Sequence, residues 1–252
     1  MYICSTIIRL CIFMACILHI ETAGERCSVA VSQDGGVIYE EHQETDTQTT
    51  KGKKSVSGNA GVLGSLVDGA LSFTDNHAIP FDAVAVSSGP GSYTGLRIGV
   101  SMAKGICYGR DLKLIGVPTL KVLCVPFLLK YDDIEEDALV CPMLDARRME
   151  VYTAVYTRAL KPVVDVCAKV IDEEAFADLL EEHPIYFMGN GAEKCKDVIK
   201  HKNAHFIDNV YLSAKNMTPL AEQMFLREEY EDVAYFEPNY LKEWTTTHKG
   251  QN

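Results

Sequence analysis

Residues 86–109 read VSSGPGSYTGLRIGVSMAKGICYG, a strand end, a glycine-rich turn and a helix in that order. The run DAVAVS at 82–87 has the length and composition of a short buried strand. Gly89-Pro90-Gly91 forms a tight turn, Ser92 or Thr94 can cap a helix, and Gly95 lets the first helical turn approach another backbone. The helix then runs from about residue 95 to 108. A helix entrance ringed by glycines offers backbone N–H groups to an anion. Gly89, Gly91, Ser92 and Thr94 are therefore candidate anion contacts, joined by Arg97, whose guanidinium can reach a phosphate or a carboxylate. The familiar fingerprints are absent. The spacing is GxGxxxG rather than GxGxxG, no acidic residue closes the next strand, and no Lys-Ser/Thr pair makes a P-loop. GxSxG fails because Pro90 stands two residues before Ser92. The competing reading is a glycine-rich turn needed only for tight strand–helix packing.

Before this stretch, strands are expected over 16–22, 27–33 and 37–43, with Asp34-Gly35-Gly36 as a hairpin turn. Apolar residues at 62, 63, 66, 67, 70 and 71 mark one face of a helix. After the central helix come a strand at 112–117 and a helix from Pro118-Thr119 to about residue 129. The order βββαβαβα differs from the dinucleotide fold, which alternates from its first strand. It matches the ribonuclease-H-like lobe of actin, Hsp70 and sugar kinases, at the level of fold alone. Beyond the acidic linker YDDIEED, strands at 138–144, 150–157 and 161–170 restart a meander. EEAFADLLEE, PIYFMG, a Gly-Asn-Gly turn, a helix over 213–229 capped by Ser213 and an extended tail follow. The expectation is a two-lobed α/β protein, with lobes at 14–130 and 131–252 and the second lobe reduced.

Two helices of the first lobe carry more small and apolar residues than one sheet-facing stripe needs. Gly95, Gly99 and Ala103 stand four apart among Leu96, Ile98, Val100, Met102 and Ile106. Gly61, Gly64, Ser65 and Gly69 lie beside Leu66 and Val67. One side would cover the sheet and the other would meet a partner, which places Gly61, Leu66, Gly95, Gly99 and Ala103 in a partner interface. Two fully buried core helices are the alternative.

The formal net charge is −11, from 24 basic and 35 acidic residues, so the chain lacks the cationic footprint that phosphate backbones select. Any service to RNA would pass through a partner that holds it. Nine cysteines without a CxxC pair point to reduced thiols in a cytoplasm and to no metal site; Cys107, Cys124 and Cys141, in apolar segments, are read as packing residues. The seven histidines are read as core or surface residues. The opening MYICSTIIRLCIFMACILHI superficially resembles a signal peptide, but cleavage near residue 23 would delete the first strand. Met14 is the expected start, with 1–13 an upstream extension, and a membrane span is disfavoured by Arg9 and His19.

SSGPGSYTGLRIGVSMAKG resembles the central signature of the TsaB family. The likeness extends to ACILHIETAGERCSVAVSQDG near the start, to LDARRMEVYTAVY at 144–156 and to the closing PNYLKEW. It implies an actin/Hsp70-like fold with a reduced second lobe. It also implies a non-catalytic subunit that pairs with a TsaD-type catalytic subunit and a TsaE-type ATPase, and self-associates through the same N-terminal helices without them. The product of that machinery is threonylcarbamoyladenosine in tRNAs reading ANN codons. No cofactor of its own is implied; ATP or ADP at the partner interface would use the candidate anion contacts above. The family commonly ends its first strand in Asp-Thr-Ser, where this chain has Glu21-Thr22-Ala23, which argues against nucleotide turnover. Two rivals stay open: an independent ATP-dependent kinase of the same fold, and a peptidase recruiting Ser92 or Thr94, for which no base or orienting acid can be paired. Asp145 beside Arg147 and Arg148 reads as an ion pair bracing the junction of the lobes, with an anion site as the other option.

Overall fold

Two five-stranded sheets repeat one topology. The computed structural model describes residues 15–43, 58–131 and 133–241. In the first sheet β1 (Cys16–Glu21), β2 (Ser28–Gln33) and β3 (Gly36–His42) form an antiparallel meander. β4 (Ala83–Ser87) and β5 (Lys113–Val117) then add in parallel on the far side of β1, giving the order β3-β2-β1-β4-β5. In the second, β6 (Leu139–Asp145), β7 (Glu150–Thr157) and β8 (Pro162–Val170) repeat the meander. β9 (Ile185–Met188) and β10 (Ala204–Ile207) repeat the parallel addition, in the order β10-β9-β6-β7-β8. The expected α/β, two-lobed ribonuclease-H-like fold is therefore present. The reduction of the second lobe lies in its helices rather than its strands. α1 (Gly58–Asn76) and α2 (Tyr93–Arg110) correspond to α4 (Ala177–Glu182) and a three-residue 3-10 turn at Glu193–Cys195.

Alternation along each strand sends residues to two cores. Leu18, Ile20, Val84 and Val86 meet Leu63, Leu66 and Val67 of α1 and Val100, Ala103 and Cys107 of α2. On the opposite face, Ile17, Ala85 and Ile115 meet Val122, Met217 and Ala221. α3 (Thr119–Lys130) lies between the sheets. Its Val122 joins the first, while Leu120, Leu123, Cys124 and Phe127 pack on Val140, Leu144 and Met188 of the second. This explains a helix apolar all round. The remaining core covers the outer face of the second sheet with Leu180 of α4 and Cys195. Cys107, Cys124 and Cys141 are buried in these cores, as packing residues. Met14 and residues 1–13, like Trp244, lie outside the described residues.

Two expectations need correction. The second lobe does not run to the end of the chain. The 3-10 turn Ala214–Met217 and α5 (Thr218–Leu226) return to the first sheet, and a strap over 230–241 follows. Glu231 N donates to Leu114 O at 2.8 Å, Lys104 Nζ to Ala234 O and Phe236 O at 3.0 and 3.1 Å, and Asn239 N to Ser88 O at 2.7 Å. Nor does Ser213 cap one long helix: its side chain makes no cap bond, and Pro219 near the start of α5 suits a separate beginning.

Candidate functional site

The glycine-rich entrance to α2 is built as its sequence suggests. Ser92 is the N-cap, its Oγ accepting from Gly95 N at 3.2 Å, and Asp111 closes the helix with φ 53°. Gly89, at φ +102°, precedes Pro90 across a cis peptide. Gly89 N donates to Thr119 Oγ1 at 3.0 Å, tying the turn to α3.

The space in front of this entrance is occupied by the chain itself. Ser92 N donates to Ala23 O at 2.8 Å. A Cβ on Gly91 would stand 2.7 Å from that oxygen, one on Gly95 would overlap Thr22 O, and one on Gly99 would overlap Thr22 Oγ1. A Cβ on Gly89 would overlap Asn239 O of the strap. The glycines thus admit the turn after β1 and the C-terminal strap, which is the packing reading of this loop. Thr94 and Arg97 remain exposed; the Arg97 guanidinium lies 5.6 Å from the Tyr93 ring centroid, and Tyr240 packs on the same ring at 4.7 Å. Among the described residues neither Ser92 nor Thr94 has a hydrogen-bonded histidine or carboxylate.

Glu21 holds the turn. Its side chain is fully buried; Oε1 accepts from Ala23 N at 2.6 Å and Oε2 accepts from Ser87 Oγ, joining the ends of β1 and β4. Burial pushes the carboxyl up to about 7, against the pull of the Ser87 hydroxyl and the N–H groups of Ala23, Gly24 and Thr22. The sequence shows Glu21 as a departure from Asp, but not that its extra methylene lets it act as a clasp.

The expected partner interface divides. Gly95, Gly99 and Ala103 are buried against the chain's own β1 turn and sheet, and Leu66 is a core residue at 5% exposure; all four are corrected to intramolecular packing. Gly61 is at the surface with nothing within 4 Å of its Cβ position. The same openness holds for Gly64 on α1 and for Gly105 and Gly109 on α2. Ser101, Gly105 and Gly109 stand four apart and are all exposed, next to half-buried Ile98, Met102 and Ile106. α2 therefore carries two small-residue stripes, and the one facing outward is not the one expected.

Asp145 does not pair with its arginine neighbours' side chains. Its Oδ1 meets Lys194 Nζ at 2.5 Å and accepts from Arg147 N at 3.0 Å. Lys194 also donates to the carbonyls of Arg148 and Glu150, at 2.6 and 2.7 Å. Nothing in the sequence singles out Lys194. His201 and His205 stand four apart, but His201 meets Glu181 and His205 stacks on Tyr186, so the spacing builds no metal motif. Among the described residues no cluster of His, Cys, Asp and Glu suits a metal ion, and no helix is long and apolar enough to cross a membrane.

The duplicated lobes define a protein of the actin/Hsp70-like fold class. The family model described as TsaD, tRNA N6-adenosine threonylcarbamoyltransferase, matches residues 60–247. The tRNA threonylcarbamoyladenosine biosynthesis protein TsaB of Escherichia coli (strain K12) is 30% identical over 234 residues, 90% of this chain and 94% of that one. TsaB of Bacillus subtilis (strain 168) is 32% identical over 169 residues, 63% and 69% of the two chains. YeaZ from Pseudomonas aeruginosa superposes with a TM-score of 0.69 at 20% identity, over 90% of this chain and 100% of that one, and shares the fold. The chain belongs to the TsaB family, within the wider group that the TsaD model describes.

Proposed function

We propose that this chain is a non-catalytic subunit in the formation of threonylcarbamoyladenosine in tRNAs reading ANN codons. It binds a TsaD-type catalytic subunit and holds it in a competent state, with a TsaE-type ATPase as the third component. In the absence of its partner it forms a homodimer. The names of its relatives support the pathway, and the outward face of α1 and α2 supports the mode. Open positions at Gly61, Gly64, Gly105 and Gly109, beside half-buried Ile98, Met102 and Ile106, suit close approach of another pair of helices. The absence of catalysis is supported by the helix entrance, which the Thr22-Ala23 turn fills. A net charge of −11 favours contact with tRNA through the partner only.

The test is reconstitution. Nucleoside mass spectrometry should find no modified adenosine when the chain alone is given tRNA, ATP and an activated threonylcarbamoyl donor. Adding it to the catalytic and ATPase subunits should raise product at least tenfold. Product formed by the chain alone, or equal yields with and without it, would refute the reading.

A further inference from the structure

A cleft of about 400 Å³ opens between the lobes, away from the helix entrance: none of Gly89, Gly91, Ser92, Thr94 or Arg97 lines it. Its apolar wall is formed by Leu123 and Pro126 of α3, Leu144 at the end of β6, and Val210 and Leu212 in the linker to α5, with the exposed Tyr211 beside them. Gly24 lets the β1–β2 turn close down on that linker, since a Cβ there would stand 3.3 Å from Leu212 Cδ1.

The rim carries Glu25, Glu40, Arg26 and Lys215. Glu40 accepts from Lys215 Nζ at 3.1 Å, while Glu25 accepts from the uncharged amide of Asn190 at 3.4 Å. That leaves Arg26, exposed on the same rim, with no carboxylate at ion-pair distance among the described residues. An apolar pocket with a few placed polar groups is the usual form of a small-molecule site. A guanidinium fork is suited to carboxylate or phosphate oxygens.

We infer that the cleft binds a small organic oxyanion with an apolar body, the oxyanion on Arg26 and the body against Leu123, Leu144, Val210 and Leu212. Carboxylates and phosphate monoesters share this chemistry. Such a ligand touches both lobes, because the β1–β2 turn and the end of β6 belong to different sheets. Neither α1 nor α2 lines the cleft, so this inference and the partner reading can fail separately.

The experiment titrates methyl-labelled protein with 3-phenylpropionate, with phenyl phosphate and with uncharged 3-phenylpropanamide, reading NMR shifts of Leu123, Leu144, Val210 and Leu212. At least one anion should shift these methyls saturably, and the amide should not; which anion binds more tightly identifies the source. Arg26→Gln, an exposed change, should keep the spectrum elsewhere and weaken binding at least tenfold. No shift with either anion up to about 10 mM, the range of very weak ligands, would overturn the inference. So would equal shifts with the amide, or unchanged affinity in Arg26→Gln.

Discussion

Gly99 carries no side chain because Thr22 fills the space one would take, and the same turn excludes a Cβ at Gly91 and Gly95. Gly99→Ala should therefore destabilise the monomer by about 1–3 kcal/mol, the usual cost of overpacking a filled site. Urea denaturation would read this, and an unchanged midpoint would show that the turn yields freely. The sequence displays the four-residue spacing but not its direction. α2 is small and apolar on more than one side, and such a helix gives no periodic contrast to tell inside from outside. Two buried groups of β1 titrate with opposite sign. Glu21, raised from 4.5 to about 7, keeps its proton in the folded chain after the unfolded chain has lost it, so its stabilising contribution declines as pH rises across that window. His19 is fully buried, with Nε2 at 2.8 Å from Ser32 Oγ and Nδ1 unpaired, and burial lowers it from 6.5 to about 3. Its contribution is present above 6.5 and lost as pH falls. Glu21→Gln removes only the first effect, at about 1.4 kcal/mol per pH unit. The variant's stability relative to the parent should therefore climb by a few kcal/mol between pH 4.5 and 7. Parallel stability curves for the two proteins would contradict the buried, protonated clasp.

Among the elements, those with strong period or strong punctuation were legible. The first-lobe helices and strands fall within a few residues of their expected positions, and so does the β6–β8 meander. β10 was not, because four residues, AHFI, carry no period long enough to read. α4 is shorter than EEAFADLLEE suggests because Phe176 takes a left-handed conformation, φ 66°, and the helix begins only after it. The Arg110–Asp75 pair at 3.4 Å links the ends of α1 and α2 at an exposed site, where such pairs contribute little, so packing sets the helix orientation. The outward stripe gives an element-scale prediction. Gly105→Ala meets nothing within 4 Å and should raise monomer stability by up to about 1 kcal/mol through helix propensity. A melting temperature lowered equally at all protein concentrations would mean that Gly105 is confined within the monomer, since loss of self-association depends on concentration.

For the whole molecule, the repeated topology was only half visible. The second meander was readable, but the return of α5 and the strap to the first lobe was not, since long-range placement leaves no local signal. The strap covers the free edge of β5, and Phe236 lies over Gly116, where a Cβ would stand 2.8 Å from the ring. Phe236→Ala should cost about 2 kcal/mol or more, read as a lower urea midpoint; no loss would mean that the strap is not integral to the first lobe.

Gly105→Arg tests whether the outward face of α1 and α2 meets a catalytic partner. The position is exposed and helical, so circular dichroism should show a folded monomer. Binding to a TsaD-type subunit, followed by isothermal titration calorimetry, should weaken at least a hundredfold, about 2.7 kcal/mol. A folded Gly105→Arg protein that binds the partner as tightly as the parent would contradict the claim.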